Sequence, residues 1–235
     1  MTAPSGETAI AARDLYRFFR AGDEETLALR GISLSVAPGE RLVVAGPSGS
    51  GKSTLLACLA GLDEPDGGSV WIAGARMSHR PEAERSALRA SRVGVLYQQG
   101  NLLGHLTIAQ NLQLVRRLGR GRRARANTGA APTRTPWDVL DAVGLANRSG
   151  AYPAELSGGE AARAGLAVAL ANNPAVLIAD EPTGELDSAT ERRLLALLGN
   201  LARAGTAMVI ASHSPAVLRT ADTALHLRDG SAVAA

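Results

Sequence analysis

Eight residues, Gly46-Pro47-Ser48-Gly49-Ser50-Gly51-Lys52-Ser53, follow a short apolar run at 41–45 and open a helical pattern carried by Leu55, Leu56 and Leu59. A glycine-rich turn set between a buried strand and a helix permits few architectures. Gly46, Gly49 and Gly51 let the backbone curl so that successive N–H groups point inward, and the helix that starts there adds its positive end, so the turn is suited to hold phosphate. Lys52 supplies a mobile cation for the outer phosphates. Ser53 offers a hydroxyl to a divalent cation and Thr54 is placed for the innermost phosphate, because both lie in the first helical turn.

A second apolar run ends in chemistry of the opposite sign. Val176-Leu177-Ile178-Ala179 is followed by Asp180 and Glu181, and a buried strand that emits carboxylates at its C-terminal edge needs a cation or phosphate chemistry beside it. Asp180 is read as a ligand of Mg²⁺ together with Ser53, and Glu181, one residue farther out, as the general base that polarises an attacking water. The strand-like runs at 41–45, 93–96, 175–179, 206–211 and 224–227 are each apolar enough to be covered on both faces. They alternate with longer helical stretches, the pattern of an α/β fold with a mostly parallel sheet fed by crossover helices.

Helix starts are legible as well. Thr107 with Gln110, Ser157 with Glu160, and Ser188 with Glu191 each fit a capping box, and Thr135 before Pro136 marks a further start. From 98 to 156 the pattern is helical, interrupted between 116 and 136 by seven arginines and no acid among Gly, Ala, Thr and Pro. That interruption reads as a solvated loop within a small helical insertion.

Composition narrows the partners. Aromatic residues make up only 3% of the chain and its formal charge is only +3, so neither stacking platforms nor a basic footprint point to nucleic acid. No apolar run approaches the roughly 20 residues of a membrane-spanning helix, and the polar start at 1–7 lacks the apolar core of a signal peptide. A membrane role is therefore expected to come through a docked partner. Cys58, the sole cysteine, is read as packing in a reducing compartment.

Leu156-Ser157-Gly158-Gly159-Glu160, upstream of the acid-ended strand, resembles the signature motif of ABC ATPases, and the glycine-rich turn and the acid pair then resemble their Walker A and Walker B motifs. Ser157 caps a helix whose first turn is Gly158 and Gly159, presenting bare N–H groups to an anion. Glu160 stands where the family usually has Gln; it keeps the capping role and adds negative charge. Further elements fall in family order. Gln98 resembles the Q-loop glutamine that touches Mg²⁺ or the attacking water, Gly184-Glu185-Leu186-Asp187 resembles the D-loop, and His213 resembles the switch histidine. Phe19 stands where the family keeps an aromatic ring against adenine, with Phe18 and Tyr16 as neighbouring alternatives.

The resemblance spans about residues 11–233. It implies an ABC ATPase fold over residues 1–235: a P-loop NTPase core with a mostly parallel sheet, an antiparallel β subdomain, and a helical subdomain at about 99–160 that carries the Arg-rich loop 116–136. It also implies ATP and Mg²⁺ as cofactors, and hydrolysis by Lys52, Glu181, Gln98 and His213. A second cassette, most simply an identical copy, would complete each site in trans with Ser157, Gly158, Gly159, Glu160 and Asp187. The remaining partner implied is an integral membrane permease, placing the chain at the cytoplasmic face of the membrane. Gly61-Leu62-Asp63, Gln98-Gln99 with Asn101-Leu102-Leu103, and Ala179-Asp180-Glu181-Pro182-Thr183-Gly184 resemble the lipoprotein-release and macrolide-export branch, which implies export or extraction of peptide, lipid, lipoprotein or drug. Ala161, Ala162 and Val168 depart from that branch, which usually has Gln, Gln and Arg there. The alternative reading is a soluble or regulatory ABC ATPase, of repair or cell-division type, without transport.

Overall fold

Apolar runs without period-two alternation belong to strands buried on both faces, and the computed structural model has such strands at its centre. It describes residues 8–21, 24–98, 100–123, 135–184 and 186–233; the polar start at 1–7, Gln99, Glu185 and most of the Arg-rich loop lie outside the described residues. A six-stranded sheet has the order β10-β9-β3-β8-β7-β6, made of β3 (Arg41–Ala45), β6 (Val93–Leu96), β7 (Val176–Asp180), β8 (Ala207–Ala211), β9 (Thr223–Arg228) and β10 (Ser231–Val233). All neighbours pair in parallel except β10, which returns antiparallel along β9.

The two faces of this sheet feed two cores. Leu42, Val44, Val176, Ile178, Val209 and Ala211 pack with Leu55, Leu56 and Leu59 of α1 (Lys52–Leu59). Their strand neighbours Val43, Leu177, Ala179, Met208 and Ile210 pack on the other side with residues of α5 (Gly158–Leu170) and α6 (Ser188–Arg203). Each fully buried leucine contributes about 1.5–3 kcal/mol over an exposed one, so α1, with the phosphate-type turn at its head, is held firmly to the sheet. Cys58 lies in the same core and burial pushes its thiol up to about 12, as expected of a packing residue.

The strand at 224–227 departs from expectation. It forms, but Thr223, Ala224 and Arg228 are exposed, because β9 lies near the sheet edge beside the short β10. A four-stranded antiparallel sheet, β2-β1-β4-β5, covers the α1 side, formed by β1 (Ile10–Ala21), β2 (Glu24–Val36), β4 (Gly67–Ile72) and β5 (Ala75–Arg76). The short helix α2 (Glu82–Arg92) leads from it into β6.

Between β6 and β7 the described chain is helical, with α3 (Ile108–Arg123), α4 (Pro136–Ala142), two short 3₁₀ turns and α5; residues 116–123, expected as the start of the Arg-rich loop, instead continue α3. The capping box of Thr107 and Gln110 is made at 2.9 and 3.3 Å, and those of Thr135 with Asp138 and Ser157 with Glu160 are complete. The box of Ser188 and Glu191 is not. Asp187 caps α6 instead, while Glu191 accepts from the Ser214 hydroxyl at 2.8 Å. A carboxylate one residue earlier satisfies two backbone donors at once and complements the positive helix end, so it outcompetes a serine. Among the described residues no helix is long and apolar enough to cross a membrane.

Candidate active site

Parallel strands in register deliver their loops to one edge. Val44 pairs with Ala211, Asp180 with Ala211, and Leu96 with Ala179, so residues 46–53, 180–181, 212–213 and 97–98 emerge side by side. At the first of these, a Cβ on Gly46, whose φ is 153°, would run into the Leu227 carbonyl and the Ser50 hydroxyl, and one on Gly51, with φ 100°, would lie 2.5 Å from the Ala28 carbonyl. Only glycine fits either position. The turn is closed by Ser50 N–H donating to the Pro47 carbonyl at 3.3 Å. Lys52, the only lysine in the sequence, folds back to donate to the carbonyls of Gly46 at 2.8 Å and Pro47 at 2.9 Å. No side chain caps α1, so the N–H groups of its first turn have no partner within the helix and face outward, as an anion requires.

The fit to a divalent cation rests on two oxygens. Ser53 donates its hydroxyl to Asp180 Oδ2 at 2.7 Å, which places a neutral and an anionic oxygen together, the hard donor pair that Mg²⁺ shares with phosphate and water. Gln98 is not part of that pair. It lines a cavity with Glu181, His213, Tyr97, Asn101 and Ala162.

Glu181 adopts φ 47° as the strand ends, and its N–H donates to the Ala211 carbonyl at 2.9 Å. Its carboxylate, with the side chain only 13% exposed, accepts from the Ser212 hydroxyl at 3.1 Å and lies 2.8 Å from His213 Nδ1. That contact is a hydrogen bond from the imidazole in the tautomer that carries its proton on Nδ1. His213 is otherwise exposed and holds its ring against Glu181.

At α5, Glu160 N–H donates to Ser157 Oγ at 3.3 Å, while Glu160 Oε2 accepts from Ser157 N–H at 2.9 Å and from its hydroxyl at 3.1 Å. The charge that Glu160 adds is countered, since Arg148 Nε lies 3.3 Å from its other oxygen. The Ser157 N–H above all, with Arg148 and Arg163 assisting, holds this carboxyl below its usual range. Asp187 is engaged on its own helix, accepting from Ala189 N–H at 2.9 Å, Thr190 N–H at 3.0 Å and the Thr190 hydroxyl at 2.6 Å. Phe19 lies on β1 opposite Thr26, is 43% exposed, and is joined on that strand by the exposed Tyr16 and Phe18.

The family model for ABC transporters matches residues 29–184. The lipoprotein-releasing system ATP-binding protein LolD of Pseudomonas fluorescens is 39% identical over 231 residues, 98% of this chain and 99% of that protein. LolD of Acinetobacter baylyi is likewise 39% identical, over 94% of this chain and 95% of its own. The chain belongs to the ABC transporter family. Among solved structures, the dimeric bacterial ABC transporter cassette MJ0796 aligns with a TM-score of 0.84 at 32% identity, covering 94% of this chain and 95% of that one. The same cassette in a post-hydrolysis state bound to ADP and Pi aligns equally well. The chain is thus an ABC ATPase, with the mixed parallel and antiparallel architecture of that cassette.

In this ABC ATPase the edge cluster brings together Lys52, Ser53, Asp180, Glu181, His213 and Gln98. Ser157, with Glu160, and Asp187 are engaged as the caps of α5 and α6. Two contributors escape a reading by motif. Ser212 hides beside His213, although a hydroxyl next to a strand-end histidine is a local signal. Arg148 lies 12 residues before Glu160, and only the fold brings the two charges together.

Proposed function

We propose that the chain is the ATP-driven motor of a transport complex: two copies close on two nucleotides, and closure and release move a separate membrane permease. The observation that carries this reading is the strand-end cluster, in which a fixed carboxylate, a histidine and an uncapped phosphate-type turn converge beside a cation-ready oxygen pair. Residues 46–51 hold the phosphates through backbone N–H groups, Lys52 moves from its own loop carbonyls to the outer phosphates, and Thr54 meets the innermost one. Ser53 and Asp180, with Gln98 at the cavity wall, hold Mg²⁺, which when bound neutralises charge on the phosphate oxygens. Glu181 accepts a proton from the attacking water at a carboxylate oxygen. Ser212 and His213 fix the rotamer of that carboxylate, and His213 reaches the terminal phosphate. Phe19 stacks on the adenine.

The Ser157 cap, with Gly158, Gly159, Glu160 and Asp187, faces the nucleotide of the partner copy, so hydrolysis needs the pair. Exposed Tyr97 and Leu103 beside Gln98 lie on the face that takes the permease. The similarity to LolD proteins favours lipoproteins or lipids as cargo, extracted or exported at the cytoplasmic face of the membrane. Glu181→Gln is expected to keep ATP binding while losing hydrolysis about a hundredfold or more. That variant, loaded with ATP and Mg²⁺ and purified from solubilised membranes, should carry a permease identifiable by mass spectrometry. Undiminished turnover would overturn the role of Glu181, and a reproducible absence of membrane protein would overturn the transport reading.

A further inference from the structure

Phe19 has a built support on one side of its ring. The guanidinium carbon of Arg17 lies 4.8 Å from the ring centroid, close enough for a cation to act on the π face. That guanidinium is itself fixed. Its Nε and Nη2 donate to the two oxygens of Asp63 at 2.8 and 2.9 Å, a bidentate fork, and Nη1 donates to Asp66 Oδ2 at 3.0 Å. The same Asp66 oxygen accepts from the Phe18 backbone N–H at 2.8 Å, so strand and side chain are pinned together. Asp63 is anchored in turn, its N–H and that of Leu62 donating to the Ala57 carbonyl of α1 at 3.2 and 2.9 Å. A chain of directed contacts therefore runs from α1, through Asp63 and Arg17, to the ring, with Asp66 bracing the guanidinium from the strand side.

We propose that Arg17, clamped by Asp63 and Asp66, is a positioning residue for the nucleotide base: it backs one face of Phe19 so that the other is presented, already ordered, to adenine. The proposal rests on the reading that Phe19 stacks on the base. An unsupported aromatic on an exposed strand must be ordered at the moment of binding, whereas a backed ring is ordered beforehand and its stacking reaches the affinity undiminished. A cation on the rear face also draws π density from the ring, which favours stacking on an electron-rich base.

The test compares ATP with inorganic tripolyphosphate, which has phosphates and no base, by isothermal titration of the full chain with Mg²⁺. Arg17→Ala is expected to weaken ATP about three- to tenfold, leaving tripolyphosphate affinity and kcat at saturating ATP unchanged. Phe19→Ala should lose a similar factor, and the double variant no more than either alone, since Arg17 acts through the ring. Asp66→Asn, at a half-exposed site where folding is safe, should shift ATP in the same direction by a smaller factor. Equal losses for ATP and tripolyphosphate in Arg17→Ala would overturn the clamp, as would full ATP affinity in Arg17→Ala while Phe19→Ala is weakened. Full affinity in Phe19→Ala would overturn the adenine assignment itself, and the clamp with it.

Discussion

Asp187 meets three donors at the head of α6. The Thr190 hydroxyl above all, with the backbone N–H groups, holds its pKa down to about 2 from an ordinary 3.8. With the native pKa depressed, the unfolded chain takes up the proton first, so the stability that Asp187 supplies is complete above about pH 4 and is lost as the pH falls through about 2. Asp187→Asn keeps a capping oxygen but has no proton to take up. Its melting temperature, followed by circular dichroism, is expected to fall less steeply than that of the parent between about pH 4 and pH 2; parallel curves would remove Asp187 as a source of acid lability. The gathering of residues was legible where motifs concentrate them, as at Lys52, Ser53, Asp180 and Glu181, which the strand ends carry to one edge of the sheet. A role was hidden where a carboxylate has two callings. Asp187 reads as part of a D-loop, and only its hydrogen bonds show it serving as the helix cap that Ser188 had been expected to provide.

Elements were legible in proportion to the regularity of their surroundings. The central parallel strands announce themselves as uninterrupted apolar runs because both faces meet a core, and three helix starts announce themselves through reciprocal side-chain bonds. The antiparallel sheet did not. β1 shifts register between Ala12 and Leu15, with Asp14 at φ 49°, and each shift resets which side of the sheet a residue faces. Its place in the fold came only with the family resemblance. Gly165 on α5 shows how one element sets another. A Cβ there would lie 2.8 Å from Asn101 Cβ, and Asn101 in turn accepts from Tyr97 N–H at 2.8 Å and donates to its carbonyl at 2.6 Å, directly before Gln98. Glycine to alanine in an open helix gains about 1 kcal/mol. Gly165→Ala is instead expected to lower kcat several-fold at nearly unchanged ATP affinity, because the Gln98 loop must shift while the phosphate turn does not. A raised melting temperature with parental kcat would show that Asn101 has room to yield.

At the scale of the molecule, the caps at Ser157 and the phosphate turn at Gly46–Ser53 belong to different layers, joined through α5, β7 and α1 rather than to each other. A nucleotide gripped by both would bridge two copies. Glu181→Gln with ATP and Mg²⁺ is expected to run as a dimer in light scattering coupled to gel filtration, and the same variant carrying Lys52→Ala as a monomer; a monomer in both would deny that nucleotide joins the copies. Saturating ATP should also raise the melting temperature, by the equivalent of about 2.7 kcal/mol at a hundred times Kd, and Lys52→Ala should abolish that rise.

The arm of Lys52, folded over the Gly46 and Pro47 carbonyls, carries the only side-chain amine in the sequence. Acylating reagents that label most proteins across their surface therefore have one side-chain target in this one, and it lies inside the proposed nucleotide site. Labelling becomes an occupancy meter: a single mass increment at Lys52 that nucleotide suppresses. The same fact governs how partners can be trapped, because amine-directed crosslinkers have no surface lysine to seize and would report on the site instead of the neighbours, leaving carboxylate-directed or photoactivated chemistry as the way to capture the proposed permease.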